Sequence, residues 1–359
     1  MRVLLVSHPP LAAEIGAGQT ALQLAAALRE RGHDALAWSP EPLPADTKAW
    51  NLWRRQTAAI ERFAAHNGPF DVIETPAISA SRNVARCGRL VVRSVQPELR
   101  YLFVEIRGDL ARRPSPRAVA NALLGVPRAA AILGGWRRAR FILCLGQHEL
   151  AWMRRRFPRW SHKLGVYTSA PTPGERTVLL TVRRNRSGRQ LPPAGAGLRF
   201  LWMGRWTAQK GVRRLVRFLR KRLGASPQDS FTLAGTGPFA ERFLPAEWLR
   251  SGRVRLVPSF SRAELPALLA AHDAGLFTSD AEGWGLGLHE MLESGMTVFA
   301  TEAGAVADLR PFFPTSLRPF PPPRDPVLSP PEDLEANGYF AAISWPAIAS
   351  AYERQVLTP

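Results

Sequence analysis

Cysteine and lysine are nearly absent from this chain. Its two cysteines among 359 residues, Cys87 and Cys144, are too few for a disulfide framework and lack zinc-ligand spacing. Lysine occurs four times, at Lys48, Lys163, Lys210 and Lys221, so arginine carries nearly all the positive charge. Acidic residues are also short: 29 Asp and Glu stand against 48 Lys and Arg, a net charge of +19. That imbalance points to a polyanionic neighbour (nucleic acid, an acidic membrane surface or phosphorylated ligands) or to a composition bias that serves solubility. Long apolar runs are missing too. Ala118 to Val126 and Ala129 to Gly135 are separated by Pro127 and Arg128, which excludes a membrane span there. The opening Met1-Arg-Val-Leu-Leu-Val-Ser7 reads as a buried strand, not a charged flank with an apolar signal core, so the expected location is the cytoplasm. No repeat of solenoid length is visible, and no acidic metal cluster is apparent.

What is present is alternation. A chain of 359 residues exceeds one small core, and the usual domain size suggests two. In the first half, strands are expected at 2–7, 35–39, 71–74, 90–93 and 141–145, with a last one at Val166-Tyr167 and an amphipathic helix at 20–31. Proline, glycine and the cluster Arg183-Arg184-Asn185-Arg186 then mark 170–197 as a loop or linker. A second series follows: strands at 198–203, 230–234, 254–257, 276–277 and 298–300, and helices at 212–223 and 262–272. Strands alternating with helices indicate parallel sheets with crossover helices, an α/β class. The proline-rich tract 311–331 reads as extended, and a helix over about 345–356 closes the chain.

The segment Ser279 to Gly295 holds two carboxylates eight positions apart, Glu282 and Glu290. An apolar run precedes it, Gly283, Gly285 and Gly287 interrupt it, and a helical pattern begins near Leu288. Glu282 is therefore expected on a loop after a strand and Glu290 in the first turn of the next helix. In an open α/β sheet such a junction is where ligands bind, and glycines and helix-end N–H groups let a ligand approach closely. Paired carboxylates there suit a sugar or a ribose. The plain alternative is a surface acid plus an acid favoured by the helix dipole.

Three glycine-bearing loops accompany this segment. Gly204-Arg205-Trp206-Thr-Ala-Gln-Lys210-Gly211 lies between a strand and a helix, where an arginine and a lysine can bracket a pyrophosphate or form a solvated loop. Ala234-Gly235-Thr-Gly237-Pro238 can hold a nucleotide base or close a tight turn. Ile15-Gly16-Ala-Gly18-Gln-Thr20 suits an anion or a sugar hydroxyl, but Gly16 lies nine residues beyond Ser7, too far for a dinucleotide fingerprint. A nicotinamide enzyme is disfavoured on that ground. From Arg100 to Arg159 thirteen arginines face three acids, Glu105, Asp109 and Glu149, with apolar runs interleaved. An interfacial surface on anionic lipid fits this stretch, with a solvated arginine face as the alternative. Nucleic acid is not expected, because no reader motif appears and the aromatics form no stacking series.

In this order the motifs resemble glycosyltransferases of the GT-B fold, specifically family 4, the large retaining group. The resemblance runs from Val3-Leu-Leu-Val-Ser7 through the loops above to Val298-Phe-Ala-Thr-Glu-Ala-Gly304 and the closing Ser344-Trp345 helix, and is strongest over 198–310. It implies two Rossmann-like domains facing across a cleft: an acceptor domain at 1–170, a linker at 171–197, a donor domain at 198–335 and a crossover helix at 336–359 returning to the first domain. By similarity, Arg205 and Lys210 would neutralise the donor diphosphate, Glu282 would bind the transferred sugar and Glu290 the ribose. The backbone at Gly285, Leu286, Gly287 and Leu288 would face phosphates or sugar, with Gly235, Gly237, Gly16 and Gly18 completing the donor site. The implied reaction is retaining transfer of a hexose from a nucleotide sugar to a glycan or lipid-linked hydroxyl, in polysaccharide or glycolipid synthesis. No metal or other cofactor is expected, and the enzyme would be peripheral on the inner membrane face. One position departs: Val95 stands where family members often carry a histidine. Glu74, Ser94 or Gln96 are the candidates to replace it, and a non-catalytic homologue that binds a nucleotide or a membrane is the alternative.

Overall fold

The computed structural model describes residues 1–12, 16–42, 49–95, 97–112, 116–193 and 196–358, so Lys48 and Gln96 lie outside the described residues. The chain divides into two compact units, one formed by Met1–Ala170 with Ala341–Pro359, the other by Pro171–Phe340.

The first unit runs β1 (Arg2–Val6), α1 (Gly16–Glu30), β2 (Asp34–Trp38), α2 (Ala49–Asn67), β3 (Val72–Thr75), β4 (Arg89–Arg93), α3 (Glu98–Arg112), α4 (Pro116–Arg138), β5 (Phe141–Leu145), α5 (Gln147–Arg156) and β6 (Leu164–Tyr167). Its strands form one parallel sheet in the order β2-β1-β3-β4-β5-β6. Leu4, Val6, Ile73, Leu90, Val92 and Ile142 make its core. Strands covered by helices on both faces need continuous apolar runs, which is why these segments read so clearly. In α1 the residues Ala21, Leu24, Ala25 and Leu28 are buried at helical spacing. Gly16 and Gly18 belong to the first turn of this helix, not to a preceding loop as expected. A Cβ at Gly18 would lie 2.2 Å from the Pro10 carbonyl oxygen, so its bareness lets the chain after β1 cross close over the helix.

The second unit runs α6 (Pro173–Ser187), β7 (Arg199–Met203), α7 (Val212–Ala225), β8 (Ser230–Ala234), α8 (Ala246–Arg250), β9 (Val254–Val257), α9 (Leu265–Ala270), β10 (Ala274–Phe277), α10 (Leu286–Glu293), β11 (Thr297–Ala300), α11 (Val306–Leu309) and β12 (Leu317–Pro319). The segment read as a linker thus contains a four-turn helix. Thr172 caps it in a reciprocal box: its hydroxyl accepts from Glu175 N–H, while Glu175 accepts from Thr172 N–H. In α7, Val212, Leu215, Phe218, Leu219 and Leu223 face the core while most of the basic residues point outward. Phe200 of β7 and Phe231 of β8 are register partners and stack at 5.1 Å.

This second sheet is parallel, in the order β12-β11-β10-β7-β8-β9. From β7 the chain winds outward through β8 and β9, then returns to place β10 on β7's other side. The strand order therefore reverses between β7 and β10, and such reversals open a crevice beyond the strands' carboxyl ends.

After Phe340 the chain rejoins the first unit. Helix α12 (Tyr339–Ala342) leads to α13 (Trp345–Tyr352), whose cap Ser344 accepts from Ala347 N–H, and a π turn follows over Glu353–Leu357. This segment is fastened within that unit: Arg31 pairs with Glu353, the Arg89 guanidinium donates to Val356 O at 2.7 Å, and Gln355 bonds both backbone groups of Val166.

Candidate active site

The loops leaving β7 and β10 are bound to each other at the switch point. The Trp202 indole donates to Thr278 Oγ1 (3.0 Å), and that hydroxyl donates to Lys210 O (2.8 Å). Asp280 N–H and Ala281 N–H both donate to Gln209 O. Gly211 sits at φ 66°, and a Cβ there would lie 1.8 Å from Thr278 O. Only glycine permits that approach. Backbone contact in turn places Lys210 Nζ 2.5 Å from Glu282 Oε2, which also accepts from Ser279 Oγ at 3.1 Å.

Gly285 at φ 87° turns the chain into α10. The first intrahelical bond runs from His289 N–H to Gly285 O, so the amides of Leu286, Gly287 and Leu288 precede the helix ladder. Gly287 lies against Met203 at the end of β7, and Gly304, at φ 56°, lets the loop after β11 pack on Glu282 and Trp284. Glu290 lies one turn into α10, later than the first turn expected, and is 6% exposed. Its Oε1 accepts from Arg262 at 2.6 Å, and Arg262 also pairs with Glu175 at the α6 capping box. Burial pushes the Glu290 carboxyl up, and Arg262, with a smaller contribution from Lys210, opposes that.

One turn further on, Glu293 is fully buried and meets Arg176 Nε at 2.6 Å and the Tyr339 hydroxyl at 3.1 Å. Tyr339 also bonds His289 Nε2, and the Trp284 indole donates to His289 Nδ1 at 2.9 Å. An indole can only donate, so Nδ1 is the acceptor and the imidazole carries its proton on Nε2. Burial lowers this histidine to about 3, which keeps it neutral. Together these groups anchor the helix that carries Glu290.

The structure thus brings together Lys210, Glu282, Gly285, Leu286, Gly287, Leu288 and Glu290 within the second unit. Gly235 and Gly237, at φ 75° and 76°, form the adjoining turn after β8, where Gly204 N–H donates to Ala234 O and Trp206 N–H to Thr236 O. Arg205 is exposed, and its guanidinium makes no hydrogen bond or ion pair among the described residues. Gly16 and Gly18 belong to the other unit. Of the proposed replacements for the histidine, Glu74 is wholly buried against Arg93, Ser94 donates to Glu149 Oε1 at 2.6 Å, and Gln96 lies outside the described residues. Arg262, Glu175 and Arg176 went unread in the sequence. The Thr172-x-x-Glu175 box was a legible signal for one of them, whereas the arginines are lost among many.

Two parallel, doubly wound units of this kind constitute the GT-B architecture, and residues 197–312 match the family described as Glycosyl transferases group 1. The second unit therefore carries a domain of that group. In sequence, 119 residues are 28% identical to the uncharacterized glycosyltransferase YqgM of Bacillus subtilis (strain 168); the match covers 32% of this chain and about a third, 33%, of that protein. In structure, the chain is similar to sucrose-phosphate synthase of Thermosynechococcus elongatus, with a TM-score of 0.64, 16% identity, and 99% of this chain and 94% of that one covered. It is also similar to HepE of Anabaena, solved in complex with UDP and glucose: TM-score 0.52, 17% identity, coverage 99% and 95%. At such identities the likeness is one of fold. Among the described residues, no helix is long and apolar enough to cross a membrane.

Proposed function

We propose that the chain is a retaining glycosyltransferase that moves a hexose from a nucleotide diphosphate sugar to a hydroxyl acceptor, in polysaccharide or glycolipid synthesis. The observation that carries this reading is the meeting of Lys210 and Glu282 at the β7/β10 switch point, beside the first-turn amides of α10 that precede its helix ladder. As the donor's glycosidic bond breaks, negative charge grows on the departing diphosphate. Lys210, Arg205 and the amides of Leu286, Gly287 and Leu288 stabilise that charge most where it is largest, in the transition state. Glu282 receives hydroxyls of the transferred sugar. Glu290, whose other oxygen is held by Arg262, accepts from the ribose hydroxyls. Gly235 and Gly237 let the nucleotide approach the backbone after β8. Departure and attack on the same face need no enzymic nucleophile, and the reaction is proposed to run without a metal.

HepE's complex with UDP and glucose supports a nucleotide-sugar donor. The acceptor is proposed to be a glycan or a lipid-linked saccharide, approached from an anionic membrane surface. Helices α3 and α4 support that part, because they leave Phe103, Leu123 and Val126 exposed within the arginine-rich stretch.

A thermal-shift screen of UDP-, GDP- and ADP-linked sugars tests the donor site. One donor class should stabilise the protein and lose that effect in Glu290→Ala. A flat screen on folded protein would favour the non-catalytic homologue, a reading to which Val95 also lends weight.

A further inference from the structure

The amino-terminal edge of the second sheet, opposite the one bearing Lys210 and Glu282, holds a concentration of positive charge that the transfer reaction does not use. Arg186 lies in the last turn of α6, Arg189 just beyond it, and Arg199 opens β7; all three line an open pocket of about 540 Å³. Among the described residues its only acidic lining residue is Asp273, which immediately precedes β10. Both oxygens of that carboxylate are engaged by the Arg199 fork, at 2.7 and 2.9 Å, and one also accepts from Arg199 N–H at 3.0 Å. Arg186 and Arg189 are left with neutral partners. Arg186 donates to Leu269 O and His272 O, and Arg189 to Ala270 O, all near the carboxyl end of α9.

Helix capping accounts for those terminal nitrogens but not for the rest. The Nε of Arg186 is buried without a hydrogen-bond partner among the described residues. A buried donor left unbonded is costly, and so are three guanidinium groups gathered around one neutralised carboxylate. Burial and the charges of Arg189 and Arg199 lower Arg186 to about 10, although Asp273 opposes this.

We propose that this pocket is a binding site for an organic phosphate monoester, its phosphoryl oxygens taken by Arg186 and Arg189 and its carbon skeleton seated on Leu191 and Leu328. Guanidinium forks match the spacing of phosphoryl oxygens, and a dianion would cancel the two positive charges that Asp273 leaves over. The pocket is much larger than a bare phosphate needs, and its wall includes apolar side chains. A soluble phosphate ester and a phospholipid headgroup present the same chemistry. The site is independent of the transfer reading, since it shares no residue with the donor edge.

Phosphorus NMR titration with glycerol 3-phosphate tests it, using Lys210→Ala to silence the donor edge. The ester should bind saturably to wild type and to Lys210→Ala alike, and at least tenfold more weakly to Arg189→Ala. Arg189 is exposed and makes one backbone bond, so this variant is expected to fold, and circular dichroism checks that it does. Arg199→Ala is the second variant and should also weaken binding, because it removes one positive charge and leaves the Asp273 carboxylate uncompensated beside the phosphoryl site. In a parallel arm, Arg189-dependent binding of phosphatidic acid vesicles over phosphatidylcholine vesicles, without response to the soluble ester, would assign the headgroup as the source. No saturable binding in either arm, or binding lost in Lys210→Ala and retained in Arg189→Ala, would overturn the proposal.

Discussion

Lys210 touches one carboxylate and acts at longer range on another: its ammonium contacts Glu282, and its charge opposes the upward shift that burial gives the Glu290 carboxyl. Removing it leaves Glu282, 10% exposed at its side chain, without its cation, yet the backbone bonds that fix the loop survive. Lys210→Ala should therefore fold and lose ~10²-fold or more in transfer or donor hydrolysis, the usual effect of deleting one transition-state contact. A change under twofold would remove Lys210 from the mechanism. A second residue-scale effect belongs to the first unit. Burial and the charge of Glu149 raise Glu98 to about 8, and burial raises Glu149 to about 7, so both carboxyls hold protons in the folded state that the unfolded chain releases. Their contribution to stability is present at low pH and is lost as pH rises through those values. His8, lowered to about 4 by burial, and His289 work the opposite way, but only below the usual histidine range. Between pH 6.5 and 8.5 the carboxyls act alone among these groups, and thermal melts should show Tm falling over that window. Glu149→Gln should flatten the fall; an unchanged slope would show that other groups set it.

Loops and helix ends set the geometry at the scale of elements. Gly211 carries two constraints, a left-handed φ and contact with the Thr278 carbonyl, whereas Gly237 has a similar φ and nothing within 4 Å of a built Cβ. Gly237→Ala should cost the backbone strain alone, about 1–3 kcal/mol. Gly211→Ala must also push the β7 and β10 loops apart, so its loss of stability should be clearly larger in denaturant unfolding, with donor binding impaired as well. Equal losses would show that the loops tolerate separation. The strands and α7 were legible because each carries its own period, and the Glu282 and Glu290 segment because glycines and a new apolar run bracket it. Helix α6 was misread because proline and glycine at 171–174 look like a linker, although Thr172 and Glu175 use that same stretch to start a helix.

For the whole molecule, surface composition matters more than any single contact. Phe103, Leu123 and Val126 are 57–67% exposed on α3 and α4, in a stretch dense with arginine. Anionic vesicles should therefore sediment the protein, with binding reduced by salt and by the double substitution Leu123→Glu and Val126→Glu, while neutral vesicles should not. Equal binding to neutral vesicles, or none to either, would reject the membrane role. The closing helix also belongs to this scale, since residues 341–359 complete the unit that residues 1–170 begin.

The sequence by itself determined the alternation of buried strands and amphipathic helices, the loops on which Lys210 and Glu282 sit, and the helix that carries Glu290. These are local properties, written in side-chain period and in glycine placement. The tertiary structure decided which loops meet. Strand order placed β10 beside β7, joining Lys210 to Glu282 across seventy-two positions; the segment before α9 gave Glu290 its partner Arg262, and packing of α6 gave Arg262 its second anion, Glu175. Such pairings depend on long-range contacts between charged residues that are individually indistinguishable in a chain with so many arginines, so only the folded arrangement could select them.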